Sequence, residues 1–195
     1  ALTHAIRELP TKDQAKLLSL GSIACPQPGM LSDADLDLEK VSQSIKKLMQ
    51  ATKIDEKMVV AALPESKVFT RVIDDLPYLS DQELSSAIRY AAEEFIPMSL
   101  AEVNLNWQVL ARSDKTEQGK RSSKTVVLVI ASPKNIVQKY IKVLNMTGVI
   151  PGAMETETIA VTRSLVGNNP FSPSSLIIQL GATTTDFAAV SHGLI

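Results

Sequence analysis

The spacing of apolar residues changes again and again along this chain, and that limits the fold more than any single motif does. Leu2, His4 and Ile6 alternate with polar neighbours, and Ala15 to Cys25 resumes in extended apolar form, a predicted β-hairpin. From Asp33 to Lys53 the period becomes helical, with Leu38, Val41, Ile45, Leu48 and Met49 on one stripe. Met58 to Leu63 is a continuous apolar strand, and Lys67 to Ile73 alternates, with Val68 and Thr70 facing away from Phe69 and Arg71. Ser80-Asp81-Gln82-Glu83 has capping-box form ahead of a helix with Leu84, Ala87, Ile88, Ala91 and Phe95 on one face, stopped by Pro97. Val103, Leu105, Trp107 and Val109 alternate with Asn104, Asn106 and Gln108, a half-buried strand that places Trp107 on its apolar face. The polar, mixed-charge stretch Ser113 to Ser123 reads as a solvated hairpin loop before the apolar strand Thr125 to Ala131. Ser132-Pro133 opens the next helix, with Pro at its first position, and Ile136, Val137, Tyr140, Ile141 and Leu144 on its buried side. A short strand around Gly148 to Gly152, a helix from Thr156 to Leu165 and a strand pair from Leu176 to Val190 complete the order. Hairpins mixed with helices in this way predict an α/β fold, or α+β with antiparallel additions.

At 195 residues the chain has room for one large domain or two small ones. Hydrophobic content of 45% against 21% charged excludes a disordered chain. Twenty basic and 21 acidic residues leave a net charge of −1, without the basic footprint of a nucleic-acid binder. Two histidines, His4 and His192, and the single Cys25 predict neither a metal cluster nor an internal disulfide, and a reduced thiol fits the cytosol. No apolar run approaches the roughly 20 residues that span a bilayer, and no secretory leader is read. A start at Ala1 and a stop at Ile195 inside a strand pattern read as a fragment of a longer protein.

Chemistry concentrates near the end of the chain. Leu176, Ile177, Ile178 and Leu180 read as a buried strand, Gly181 and Ala182 as a turn without bulky side chains, and Phe187 to Val190 as a returning strand. Between them Thr183, Thr184 and Thr185 add hydroxyls to free backbone N–H groups, a combination suited to phosphate. On the residues alone an ordinary turn with β-favouring flanks is the better reading. A kinase would need a general base, and Asp186 is the one acid inside the loop. Glu155 and Glu157 stand at a helix start, where acids complement the dipole without any chemistry.

The segment Gln179 to Val190 resembles the second phosphate loop of the bacterial actin-like ATPases, Asp-(Ile/Leu)-Gly-(Gly/Ala)-X-Thr-Thr-(Asp/Glu) followed by an apolar strand. Gly181, Ala182, Thr184, Thr185 and Asp186 match in order, whereas Gln179 stands where the family has an Asp that helps hold magnesium. A neutral amide is a poor ligand for so hard a cation, so efficient hydrolysis is not expected. Val59 to Pro64, Ala87 to Pro97 and Leu100 to Leu110, with Asn106-Trp107-Gln108-Val109 as the most specific match, resemble the PilM family of type IV pilus assembly proteins.

The resemblance implies a partial actin-like ATPase (ribonuclease H-like) fold with a small inserted subdomain. Residues 1–56 and 146–175 would form the first half-domain, 57–145 the insertion, and 176–195 the opening of the second half-domain. It implies ATP and Mg²⁺ as ligands of the full-length protein, with phosphates at Gly181, Ala182, Thr183, Thr184 and Thr185, and none for this fragment, which lacks the first phosphate loop and the adenine-contacting region. It assigns no catalytic residue and no metal ligand. The implied partner is the cytoplasmic N-terminal peptide of a PilN-like inner-membrane protein, held by a cytoplasmic scaffold peripheral to that membrane without inserting into it; self-association is left open. The helix Ala87 to Phe95 and the loop Ile96 to Leu100 are candidates for the wall of the groove by position only; for any one of their apolar residues, filling the core is the favoured reading. A type II secretion or cell-division actin homologue, or an ATPase or sugar kinase of the same superfamily, is the alternative reading.

Overall fold

The computed structural model describes residues 2–10, 15–117, 120–166, 173–181 and 184–191; for 2–10, 15–16, 113–117 and 120–123 the description is of the backbone. Among these residues the strands are β1 (Leu2–Pro10), β2 (Ala15–Ala24), β3 (Met58–Leu63), β4 (Phe69–Pro77), β5 (Val103–Glu117), β6 (Lys120–Pro133), β7 (Ile150–Thr156), β8 (Ser175–Leu180) and β9 (Thr185–Val190). The helices are α1 (Asp35–Thr52), α2 (Asp81–Glu93), α3 (Lys134–Thr147) and α4 (Glu157–Leu165). The order of strands and helices is the one the changes of period predict. The chain divides into two compact units, Ala1–Ala61 with Gln138–Met154, and Ala62–Val137 with Glu155–Ile195.

In the first unit β1 and β2 form an antiparallel hairpin, and α1 packs on β2. Gly21 makes that approach close. A Cβ at this position would run into Thr52 Cγ2 and lie 2.9 Å from Leu48 Cδ1. The same contact is tied by Ser19, whose hydroxyl donates to the Thr52 carbonyl at 2.7 Å. Leu38 and Val41 of α1 bury against Val143 of α3, with Cys25, Met30 and Ile45 packed around them. Two lysines of α3 fasten the entry to α1: Lys139 pairs with Asp33 at 2.5 Å and Lys142 with Asp35 at 2.6 Å. Asp33 therefore lies ahead of the helix, which starts at Asp35. The helix ends on Lys53 in the left-handed region (φ 54°), a cap usually given to glycine. β3 pairs with β7, and Met58 and Val60 are exposed, so the continuous apolar run is half-buried.

The second unit holds an antiparallel sheet in the order β4-β6-β5. α2 begins in the predicted capping box: the Ser80 hydroxyl accepts from the Glu83 amide, and the Glu83 carboxylate accepts from the Ser80 amide at 2.9 Å. The Ser80 hydroxyl also donates to that carboxylate at 2.6 Å, and this bond, with the one from the Ser80 amide, holds the Glu83 carboxyl below its ordinary pKa. The helix lays Leu84 and Ile88 on Ile73, Val127 and Val129, with Leu105, Trp107 and Val109 at the margin. Trp107 thus packs against the core, as the alternation predicts. A second cluster joins Ala92, Ile96, Val103 and Ala131. Arg71 spans the edge of this layer with its guanidinium 5.4 Å from the centre of the Phe95 ring, a cation–π contact.

Two local expectations are corrected. Ser113 to Ser123 is not loop on both sides of its turn, because the pairing continues from Ser113↔Lys124 to Glu117↔Lys120. Polar residues on both faces carry no burial period, while the ladder hydrogen bonds that extend the strands are indifferent to side chains. Pro133 ends β6 instead of starting α3, which begins at Lys134.

Candidate phosphate-binding turn

α4, β8 and β9 form the scaffold of the candidate site. Thr156 caps α4, its hydroxyl accepting from the Ile159 amide at 3.3 Å, and α4 packs on β9. β8 and β9 pair antiparallel in a register that sets Ile178 opposite Phe187, Gln179 opposite Asp186 and Leu180 opposite Thr185. Because side chains alternate across a strand, Ile177, Gln179, Asp186 and Ala188 share the face turned to α4, whereas Leu176, Ile178, Leu180 and Phe187 lie on the other. That second face is exposed, Leu180 at 80%. The strand predicted as buried is half-buried on one side and exposed on the other; an unbroken apolar run cannot distinguish one covered face from two.

At the tip the Gly181 amide donates to the Thr184 carbonyl at 2.9 Å. A Cβ on residue 181 would stand 2.9 Å from that same oxygen, so the turn closes tightly because position 181 has no side chain. The Gly181 N–H, read from sequence as free, is committed within the turn. Thr184 and Thr185 are exposed; Ala182 and Thr183 lie outside the described residues. Beneath the tip, Gln179, Asp186, Ile177, Ala188 and Phe187 enclose with Thr158 and Val161 a cavity of about 10 Å³. This is no more than the space of one water, so any larger ligand would have to sit at the exposed tip.

The two acids read from sequence as one helix start part company in the structure: Glu155 lies in β7, and only Glu157 opens α4. Glu155 is spent on Arg163, whose guanidinium grips both carboxylate oxygens at 2.5 and 2.6 Å. Glu157 is half-buried, and its carboxyl is pushed above its ordinary pKa, first by burial, then by the negative charges of Asp186 and Glu65. Burial and like charge here outweigh the favourable helix N-terminus. Glu65 accepts from the Thr70 hydroxyl at 2.8 Å with one oxygen, and its other oxygen is buried without a partner among the described residues. Sequence reasoning gave Glu157 no role beyond the helix dipole. Only the phase of α4 against β9 reveals that it faces Asp186, and no local pattern encodes that phase.

Among the described residues no group of three or more His, Cys, Asp or Glu side chains could hold a metal ion. Nor is any helix there long and apolar enough to cross a membrane. Of the candidate groove wall, Ile88, Ala92 and Ile96 are buried in the core and Ala91, Phe95, Met98 and Leu100 pack partly buried against it; Arg89, Tyr90, Glu93 and Glu94 remain exposed.

The fold is similar to that of a chain in the "PilM-PilN type IV pilus biogenesis complex", with a TM-score of 0.78 and 22% identity over 98% of this chain. The present chain spans 55% of the length of that one. It is also similar to the cytoplasmic domain of EpsL, an inner-membrane component of the type II secretion system of Vibrio cholerae, with a TM-score of 0.53 and 16% identity over 98% of this chain and 71% of that one. These likenesses show a mixed α/β fold of the actin-like kind. The family model for the type IV pilus assembly protein PilM matches residues 3–195, and the chain therefore belongs to the PilM family.

Proposed function

We propose that this chain is part of an actin-like scaffold protein of type IV pilus assembly, which binds nucleotide when complete and holds the cytoplasmic tail of a PilN-like inner-membrane partner. The observation that carries the proposal is the family match along nearly the whole chain. The partner is inferred from the complex in which the similar chain was solved, PilM with PilN. In this reading residues 1–56 and 146–175 belong to the first actin-like half-domain, 57–145 to the insertion and 176–195 to the second half-domain. The protein works in the cytoplasm, peripheral to the inner membrane through its partner. Co-expression of the full-length protein with the PilN-like protein of its own organism tests this. The pair is expected to co-purify through the partner's N-terminal tail; a folded protein that ignores both the intact and the tail-deleted partner would overturn the partner assignment. The likeness to the type II secretion component supports a second reading, which ranks lower on the family match and on the TM-scores.

Nucleotide phosphates would meet the turn at Gly181 and Ala182 and the hydroxyls of Thr183, Thr184 and Thr185. Magnesium is commonly held by one or two carboxylates together with substrate phosphates, so the absence of a three-ligand cluster among the described residues is compatible with it. Asp186 and Glu157, close enough to repel each other, are the acids such a cation would meet. With Gln179 neutral, turnover is expected to be slow. Calorimetric titration of Mg²⁺-ATP into the full-length protein, with and without Thr184→Ala plus Thr185→Ala, tests the site. Loss of even one charge-assisted hydrogen bond, about 1.5 kcal/mol, should weaken affinity roughly tenfold. Equal affinity in the two proteins would remove the threonines from the phosphate site.

A further inference from the structure

We draw no further inference here: the strongest candidate, the exposed apolar face that Leu176, Ile178, Leu180 and Phe187 form on the β8–β9 hairpin, is an unpartnered sheet face, and nothing in the structure shows what covers it.

Discussion

Replacing Ile88 by Ala distinguishes a helix that fills the core from a helix that walls a groove. Ile88 is fully buried (0% exposed) beneath α2, against Ile73, Val127 and Val129. The substitution removes three carbons, about 2.4 kcal/mol of transfer free energy at ~0.8 kcal/mol each. The cavity left behind adds to this, and buried Ile→Ala changes as a class cost about 2–5 kcal/mol. We expect about 3 kcal/mol. The single tryptophan, Trp107, lies at the margin of the same cluster, so its emission reports on this region during urea denaturation. With a urea dependence of about 2 kcal/mol per molar, the midpoint should fall by about 1.5 M. Tyr90, two residues along the same helix and 74% exposed, is the control; its change to Ala should cost less than about 0.5 kcal/mol. If Ile88→Ala shifts the midpoint no more than Tyr90→Ala does, the buried face of α2 is not core, and its apolar residues become available to a partner.

Further expectations concern packing and charge. Gly21→Ala should destabilise by about 1–3 kcal/mol through overpacking against Thr52 and Leu48, and Thr52→Ser, which removes the offending methyl but keeps the hydroxyl bond to the Leu48 carbonyl, should restore part of the loss; thermal melts of the single and double variants that show no recovery would locate the cost elsewhere. For Glu157 the folded-state pKa lies above the ordinary value of 4.5, so the stability linked to its protonation is complete below that value and is lost as pH rises through the raised one. Glu157→Gln, which cannot ionise, should therefore melt above the parent at pH 7, with the gap closing below pH 4.5; a gap that does not change with pH would mean that the charge of Glu157 is not what burial opposes.

The order of the elements was legible because each segment carries its own period and its own punctuation. Ser80 and Glu83 announce α2, and Pro97 follows its end; the stripe from Leu38 to Met49 needs no tertiary information to be read as a helix. What could not be read was set by contacts distant in sequence. Asp33 falls outside α1, and the lysine that reaches it stands 106 positions later at Lys139. Ser113 and Lys124 are held in strands by each other's backbone, which side-chain pattern does not describe. Leu176 and Ile178 have the same composition as a strand covered on both faces, and only the position of α4 decides which side is covered.

The candidate site shows the same division between motif and depth. Gly181 could be named from sequence, because a tight turn needs a residue without a side chain, but its amide proves to close the turn on Thr184. Gln179 stands where the resemblance to the actin-like phosphate loop implies a carboxylate. In the hairpin it lies directly across from Asp186, where cross-strand side chains stand roughly 5 Å apart and like charges are destabilising. Burial, and after it the charge of Asp186, already raises the pKa of Glu157. A third carboxylate at position 179 would add its own repulsion to this face unless a cation neutralised it. The neutral amide adds no such repulsion. It thereby spares the hairpin a charge that would repel Asp186 whenever no cation is present.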